Sequence, residues 1–246
     1  MTGTAKEAAG EVWQVYRLPV MSLPTNVPCR REMLPERVFQ DESEKWDGVV
    51  DSVMQVHAKG QPVLVGTRNI HESEKLARTL VAAGARVELL NARRVQEEAG
   101  IIAQAGRKGQ ITIATNMAGR GTDIRLEDGV GELGGLHVIV SERHDSGRID
   151  RQLVGRCARQ GDPGSAQLFT SVEDSVLVKH TYDWLRYFIR DLLTKHKSAA
   201  RWLLLWVTQR AQKNVETLSF RQRKNVLRVD TWLEQSLTFG DPEKMS

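Results

Sequence analysis

The hydrophobic pattern of this chain alternates between two periods. In "DESEKWDGVVDSVMQVHAK" (41–59), Trp46, Val49, Val50, Val53 and Met54 recur at helical spacing, and Asp41 with Glu44 forms a capping-box signature. Gly60 ends that helix. "PVLVGT" (62–67) follows, a short β-branched run that predicts a buried strand. Asn69 with Glu72 repeats the cap, Leu76, Leu80 and Val81 give the next helix its inner stripe, and Gly84 closes it. "RVELLNA" (86–92) predicts another strand, and Val95, Ala99 and Ile102 mark a helix ending near Gly106. "ITIAT" (111–115), "LHVIV" (136–140) and "SAQLFT" (165–170) complete the strands. Residues 147–160 predict a helix with Ile149, Leu153 and Val154 inward.

Strands separated by helices of ten to fifteen residues imply right-handed βαβ units and a mostly parallel sheet, an α/β lobe. Ligands on such sheets bind beyond the carboxyl ends of the strands. The loops after "ITIAT" and "LHVIV" follow their strands and belong at that edge. This placement gathers the unusual residues of the chain into one region.

After Ser171 the pattern changes. Residues 173–237 show no strand signal and carry Trp184, Tyr187, Phe188, Trp202, Leu205, Trp206, Phe220 and Leu227 at helical spacing. This segment reads as a helical appendage whose aromatics serve as core or docking surface. Residues 1–37, with the proline-dense "RLPVMSLPTNVPCRREMLP", read as an extended connector. The expected division is therefore 1–37 connector, 38–172 α/β lobe, 173–237 helical segment and 238–246 disordered tail.

Composition changes this picture little: 40% hydrophobic and 27% charged residues in 246 are ordinary for a soluble domain with an appendage. Charge changes it more. Lys179 to Arg228 holds 12 Lys+Arg against 3 Asp+Glu, in a chain whose total is only +4. A basic helical tail on a near-neutral body suits an acidic surface: nucleic acid, anionic lipid or an acidic protein. A solvated helix face is the plainer alternative. Cys29 and Cys157 are far apart and match no metal spacing, which favours a reduced, cytoplasmic setting. The N-terminus lacks a signal-peptide pattern, and the longest apolar run, 202–207, is too short to span a bilayer, so any membrane contact is expected to be peripheral.

Two constellations carry chemistry. In Gly119-Arg120-Gly121-Thr122-Asp123, the glycines permit close backbone approach to a ligand. Arg120 can reach a phosphate, and Asp123 can accept from a ribose hydroxyl or order a neighbouring arginine. In "QLVGRCARQGDPG", Arg156 and Arg159 lie three apart, which on one helix aims both guanidiniums to one side. Arginine forks match phosphate oxygens and hold their charge at any working pH. Separately, each feature has an ordinary explanation: a loop, or a salt-bridged surface face. Together they favour a phosphate site. Yet the sequence contains no G-x-x-x-x-G-K-[ST].

"MTGTA" (1–5), "LPTNVP" (23–28), "KGQPVLVGT" (59–67), "ITIATNMAGRGTDI" (111–124), "GGLHVIVSERHDSGRIDRQLVGRCARQGDPGS" (134–165) and "SVEDSVL" (171–177) resemble the second half of the motor of SecA, the bacterial preprotein translocase ATPase built like a superfamily 2 helicase. "AQKNVETLSFRQRKNVL" (211–227) is similar to the start of that family's helical scaffold. The resemblance covers nearly the whole chain. It implies a RecA-like P-loop NTPase lobe of the helicase C-terminal type, closing on ATP held by a first lobe that supplies the phosphate-binding lysine and the Mg site.

By that likeness Arg156 and Arg159 would meet the phosphates, and Asp123, Arg120, Gly119, Gly121 and Gln152 would line the nucleotide. The implied partners are the missing first lobe or a full SecA-type motor, the protein-conducting channel, the preprotein and the anionic inner face of the membrane. Nucleic acid is not expected. Where the family has G-R-[SA]-G-R-Q-G this chain has "GRCARQG", with Ala158 for glycine, an exchange that fits a helix. Gly147 stands where the family commonly has arginine. Without the P-loop and acidic magnesium motif the isolated chain is expected to be inactive, and an upstream segment or a separate polypeptide would supply them. The competing readings are a nucleic-acid helicase lobe and a non-catalytic docking module.

Overall fold

The computed structural model describes residues 6–90, 98–115, 122–195 and 197–238. In chain order its elements are a short 3-10 turn (Lys6–Ala8), α1 (Ala9–Tyr16), β1 (Arg30–Met33), β2 (Arg37–Phe39), α2 (Glu42–His57), β3 (Val63–Thr67), α3 (Ile70–Ala82), β4 (Val87–Leu90), α4 (Glu98–Gln104), β5 (Ile111–Thr115), β6 (Leu136–Val140), α5 (Gly147–Val154), β7 (Pro163–Ser171), α6 (Ser175–His180), α7 (Asp183–Lys195) and α8 (Lys197–Thr238).

The strands run in the order β1-β7-β6-β3-β5-β4, with β2 also pairing β7. Every described pairing is parallel. The central strands are buried along their whole length, as a sheet covered on both faces requires. Alternate side chains feed two cores. Val63, Val65, Ile111, Ile113, Ile139 and Phe169 pack with Trp46, Val49 and Val53 of α2 and Leu76 and Leu80 of α3. Leu64, Leu136, Val138, Val140, Ala166 and Leu168 point the other way, to Ile102 of α4 and Leu153 and Val154 of α5. Asp41 and Asn69 cap α2 and α3, accepting from the backbone N–H groups of Glu44 and Glu72 at 2.8 Å each.

Two features of the 1–37 segment were invisible to periodicity: helix α1 and strand β1. β1 (RREM) and β2 (RVF) add to the β7 edge, one after the other, against Pro163–Ala166 and Phe169–Ser171. Both are short and flank Pro35, so they have too few residues to show an alternating signature.

From Ser175 onward the described chain is helical. Val176, Leu177, Ile189 and Leu193 of α6 and α7 pack against Ala200, Leu204, Val207 and Ala211, one stripe of the 42-residue α8. The aromatics expected as core or docking surface are not in it. Trp184, Tyr187, Phe188, Trp202 and Trp206 are each more than half exposed, because the small and aliphatic residues of the same helices occupy the inner stripe. Residues 239–246 lie outside the described residues.

Candidate functional site

α5 is set by what meets its two ends and its inner face. Ser146 caps it, and Gly66 of β3 lets it lie close: a Cβ at Gly66 would sit 2.0 Å from a methyl of Leu153. The helix ends at Val154, with Gly155 as its C-cap, short of the predicted 160. Residues 155–161 form instead a turn with three left-handed positions, Ala158 (φ 54°), Gln160 (φ 55°) and Gly161 (φ 89°). Arg31 Nη2 donates to the Cys157 carbonyl at 3.0 Å, giving that oxygen a partner outside any helix. Arg156 and Arg159 are therefore presented by a turn and not by one helix face. Ala158 does not stabilise a helix; it occupies left-handed backbone, which a glycine adopts without a Cβ penalty.

The turn nonetheless brings the predicted pair together. Arg156 Nη1 donates to the Thr122 carbonyl at 3.4 Å, and Arg159 Nη1 reaches the same carbonyl at 3.5 Å. Arg159 Nη1 also donates to Asp123 Oδ1 at 2.8 Å, and its Nε to the Gly155 carbonyl at 3.0 Å. Gln160 Nε2 donates to Asp123 Oδ2 at 2.9 Å. Two guanidiniums thus converge on one backbone oxygen, while a carboxylate holds one of them. The Arg159 and Asp123 side chains keep 35% and 39% of their surface, so the pair remains reachable from solvent. Gln152 sits half-buried on α5, one turn before Arg156. Gly119, Arg120 and Gly121 lie outside the described residues.

The site does not gather at the carboxyl edge of the sheet as the strand order suggested. α5 runs back against the strands, so its far end, with both arginines, lies where β7 begins at Pro163. Residues 122–126 lie on the same face ahead of β6: Ile124 is buried in the α4–α5 core, and Thr122 and Asp123 meet the turn. The carboxyl edge holds a different cluster. Arg68, after β3, donates to Glu142 and Asp145 after β6, and Glu142 accepts from the Ser175 N–H at 2.7 Å. Arg143 makes a forked pair with Glu36. Burial pushes the Asp174 carboxyl up to about 6, against the pull of Lys45 Nζ at 2.6 Å. A separate cavity of about 420 Å³ opens between Pro35–Gln40 and Leu193 and Arg201, and none of the predicted residues line it.

Gln160 escaped the sequence reading although it stood inside the motif. Nothing in residue type marks a glutamine as the second partner of a carboxylate 37 positions away.

The pattern of residues now has a family to belong to. The SecA P-loop domain matches residues 28–131 and 125–197. This chain belongs to the SecA family. Protein translocase subunit SecA 2 of Magnetococcus marinus is 46% identical over 238 residues, 97% of this chain and 36% of that protein. Protein translocase subunit SecA of Campylobacter concisus is 47% identical over 231 residues, 94% of this chain and 27% of that protein. The chain thus spans only about a third of these SecA proteins or less. Among solved structures, the yeast DEAD-box splicing factor Prp28 aligns with a TM-score of 0.48 at 18% identity, over 81% of this chain and 40% of that one. With SecA membership and an all-parallel described sheet flanked by helices, the fold is a RecA-like lobe carrying a helical appendage, as the sequence predicted.

Proposed function

We propose that this chain is the closing lobe of a SecA-type motor for ATP-driven protein export, and that Arg156 and Arg159 meet the phosphates of ATP held by a first lobe. One observation carries the reading: both guanidiniums converge on the Thr122 carbonyl at a solvent-accessible point of the lobe. Two fixed positive charges with fork geometry fit a polyphosphate anion, so the donor set suits the nucleotide.

ATP bound between the lobes supplies the transferable γ-phosphoryl group. This chain's part is positional. Asp123 and the Gly155 carbonyl hold the Arg159 guanidinium before closure, so little ordering remains when it meets negative charge. Arg120, Gly119, Gly121 and Gln152 complete the nucleotide-facing surface in this reading. Mg, by the same reading, rests on carboxylates of the first lobe. The preprotein, the protein-conducting channel and the inner face of the membrane are the partners the proposal entails, with the basic helical segment meeting anionic surfaces.

The test joins the chain to a P-loop-bearing first lobe of a SecA relative and follows ATP turnover. Arg159→Ala and Arg156→Ala are each expected to lower turnover by about 10³-fold, as for an arginine serving a transferring phosphoryl group. Stability should change little, because the exposed Arg159–Asp123 pair contributes under about 1 kcal/mol. Turnover unchanged in both variants contradicts the proposal. Salt-sensitive binding of single-stranded nucleic acid with no turnover would favour the helicase alternative.

A further inference from the structure

α8 reaches the opposite end of the helix that leads into the arginine turn. Glu216 Oε1 accepts from the Gly147 N–H at 2.8 Å and from the Ser146 hydroxyl at 3.0 Å, closing the first turn of α5. One helical turn earlier, Gln212 Nε2 donates to the His144 carbonyl and to Asp150 Oδ2, both at 2.8 Å. Asp150 Oδ1 in turn accepts from the His144 N–H at 3.0 Å and lies 2.7 Å from His144 Nδ1. Gln212, His144 and Asp150 are 7%, 2% and 5% exposed, so these are contacts out of water, where a lost partner is felt in full.

We infer that Gln212 and Glu216 are positioning residues for Arg156 and Arg159. The inference rests on the proposal above that these arginines meet nucleotide. Gln212 and Glu216 lie at i and i+4, one face of α8, beside Ala211 and Val215, which are buried. α5 has eight residues, about 12 Å, and its backbone passes straight into residues 155–161. Leu153 is wedged against Gly66, so α5 has little room to bend or slide independently of its ends. A helix this short transmits a displacement of its first turn to its last. The seat of α8 on the first turn therefore sets where the two guanidiniums stand. A shift of α8 along or about its axis, caused by whatever binds its exposed far half, breaks the Glu216 and Gln212 contacts and loosens the arginine turn.

The experiment uses the whole chain and two readouts. Hydrogen exchange of the chain alone comes first. Gln212→Ala with Glu216→Ala should speed exchange of the Gly147–Gly155 amides and of Arg156 and Cys157 about fivefold or more, while α7 and the β3–β6 amides hold their protection. Glu216→Gln keeps an acceptor for Gly147 and Ser146 and should restore most of that protection. The second readout is ATP turnover of the chain joined to a P-loop-bearing lobe. The double variant should lower kcat about ten- to a hundredfold with KM nearly unchanged, and Glu216→Gln should recover it.

Unaltered exchange at 147–157 overturns the inference. So does loss of protection across the whole chain, which would make the contacts structural only. If exchange rises but kcat does not fall, while Arg159→Ala abolishes turnover, the positioning role fails and the arginine role stands. If Arg159→Ala itself leaves turnover intact, it is the nucleotide reading that has failed, and this inference falls with it.

Discussion

Ala158 holds its backbone at φ 54°, where a Cβ crowds the following carbonyl. Gly164 shows how tight the turn is: a Cβ there would sit 2.7 Å from the Ala158 nitrogen. Ala158→Gly should therefore raise the stability of the chain by about 1 kcal/mol, net of the extra freedom glycine gives the unfolded state, as measured by urea denaturation. Local propensity pointed the other way, since arginine, alanine and glutamine are good helix formers. The deciding contact, Arg31 to the Cys157 carbonyl, comes from 126 residues upstream and leaves no mark in the local sequence.

His137 gives a second prediction at this scale. Burial, with a smaller push from Lys59, lowers its pKa to about 4, and its Nδ1 lies 2.7 Å from the Ser165 hydroxyl. The folded state takes up the proton later than the unfolded chain does, so His137 loses stability as pH falls from about 6.5 to 4. Asp174, raised from 3.8 to about 6, works in reverse and gains stability as pH falls through 6. His137→Gln should remove the first trend only. Its stability relative to the natural chain, read from denaturation at successive pH values, should climb steadily from pH 6.5 to 4.

At the scale of elements, the junction between lobe and appendage is a buried ion pair. Lys45 on α2 and Asp174, which precedes α6, are 2.6 Å apart with side chains 2% and 1% exposed. The Ser171 N–H and hydroxyl add bonds to the same carboxylate at 3.0 and 2.8 Å. Lys45→Met would leave that carboxylate buried without its cation, a loss of about 3 kcal/mol or more in unfolding free energy. A variant within about 1 kcal/mol of the natural chain would show that the pair does not anchor the helices. The lobe's elements were legible because a two-faced parallel sheet imposes apolar runs on its strands, and "ITIAT" and "LHVIV" match β5 and β6 to the residue. β1 and β2 were not legible: four and three residues are too few to show a period, and of the two only RVF buries a side chain, Phe39. The helices after Ser171 were expected, and of the two places expected for their aromatics, core or docking surface, the core is closed to the tryptophans, because small and aliphatic residues at 200, 204, 207 and 211 fill it.

Taken whole, the molecule is a RecA-like lobe with a helix of roughly 60 Å running off it. Arg223 of that helix makes a forked pair with Glu11 of α1, so the first and last described α-helices meet. The motif residues that carried the family resemblance also meet in the fold, since Arg156 reaches the Thr122 carbonyl and Arg159 pairs with Asp123. The contacts from Gln212 and Glu216 to α5 were beyond reach of the sequence, because they join surfaces some 70 residues apart. Among the described residues no helix is long and apolar enough to cross a membrane. The central proposal is that this lobe completes a nucleotide site whose phosphate loop lies on another. The most direct measurement adds the chain, in rising concentration, to a P-loop-bearing first lobe and records ATP hydrolysis. Turnover should rise with the chain, saturate, and reach about 10³ times the rate of the first lobe alone. A flat rate at concentrations where the two polypeptides demonstrably associate would contradict it.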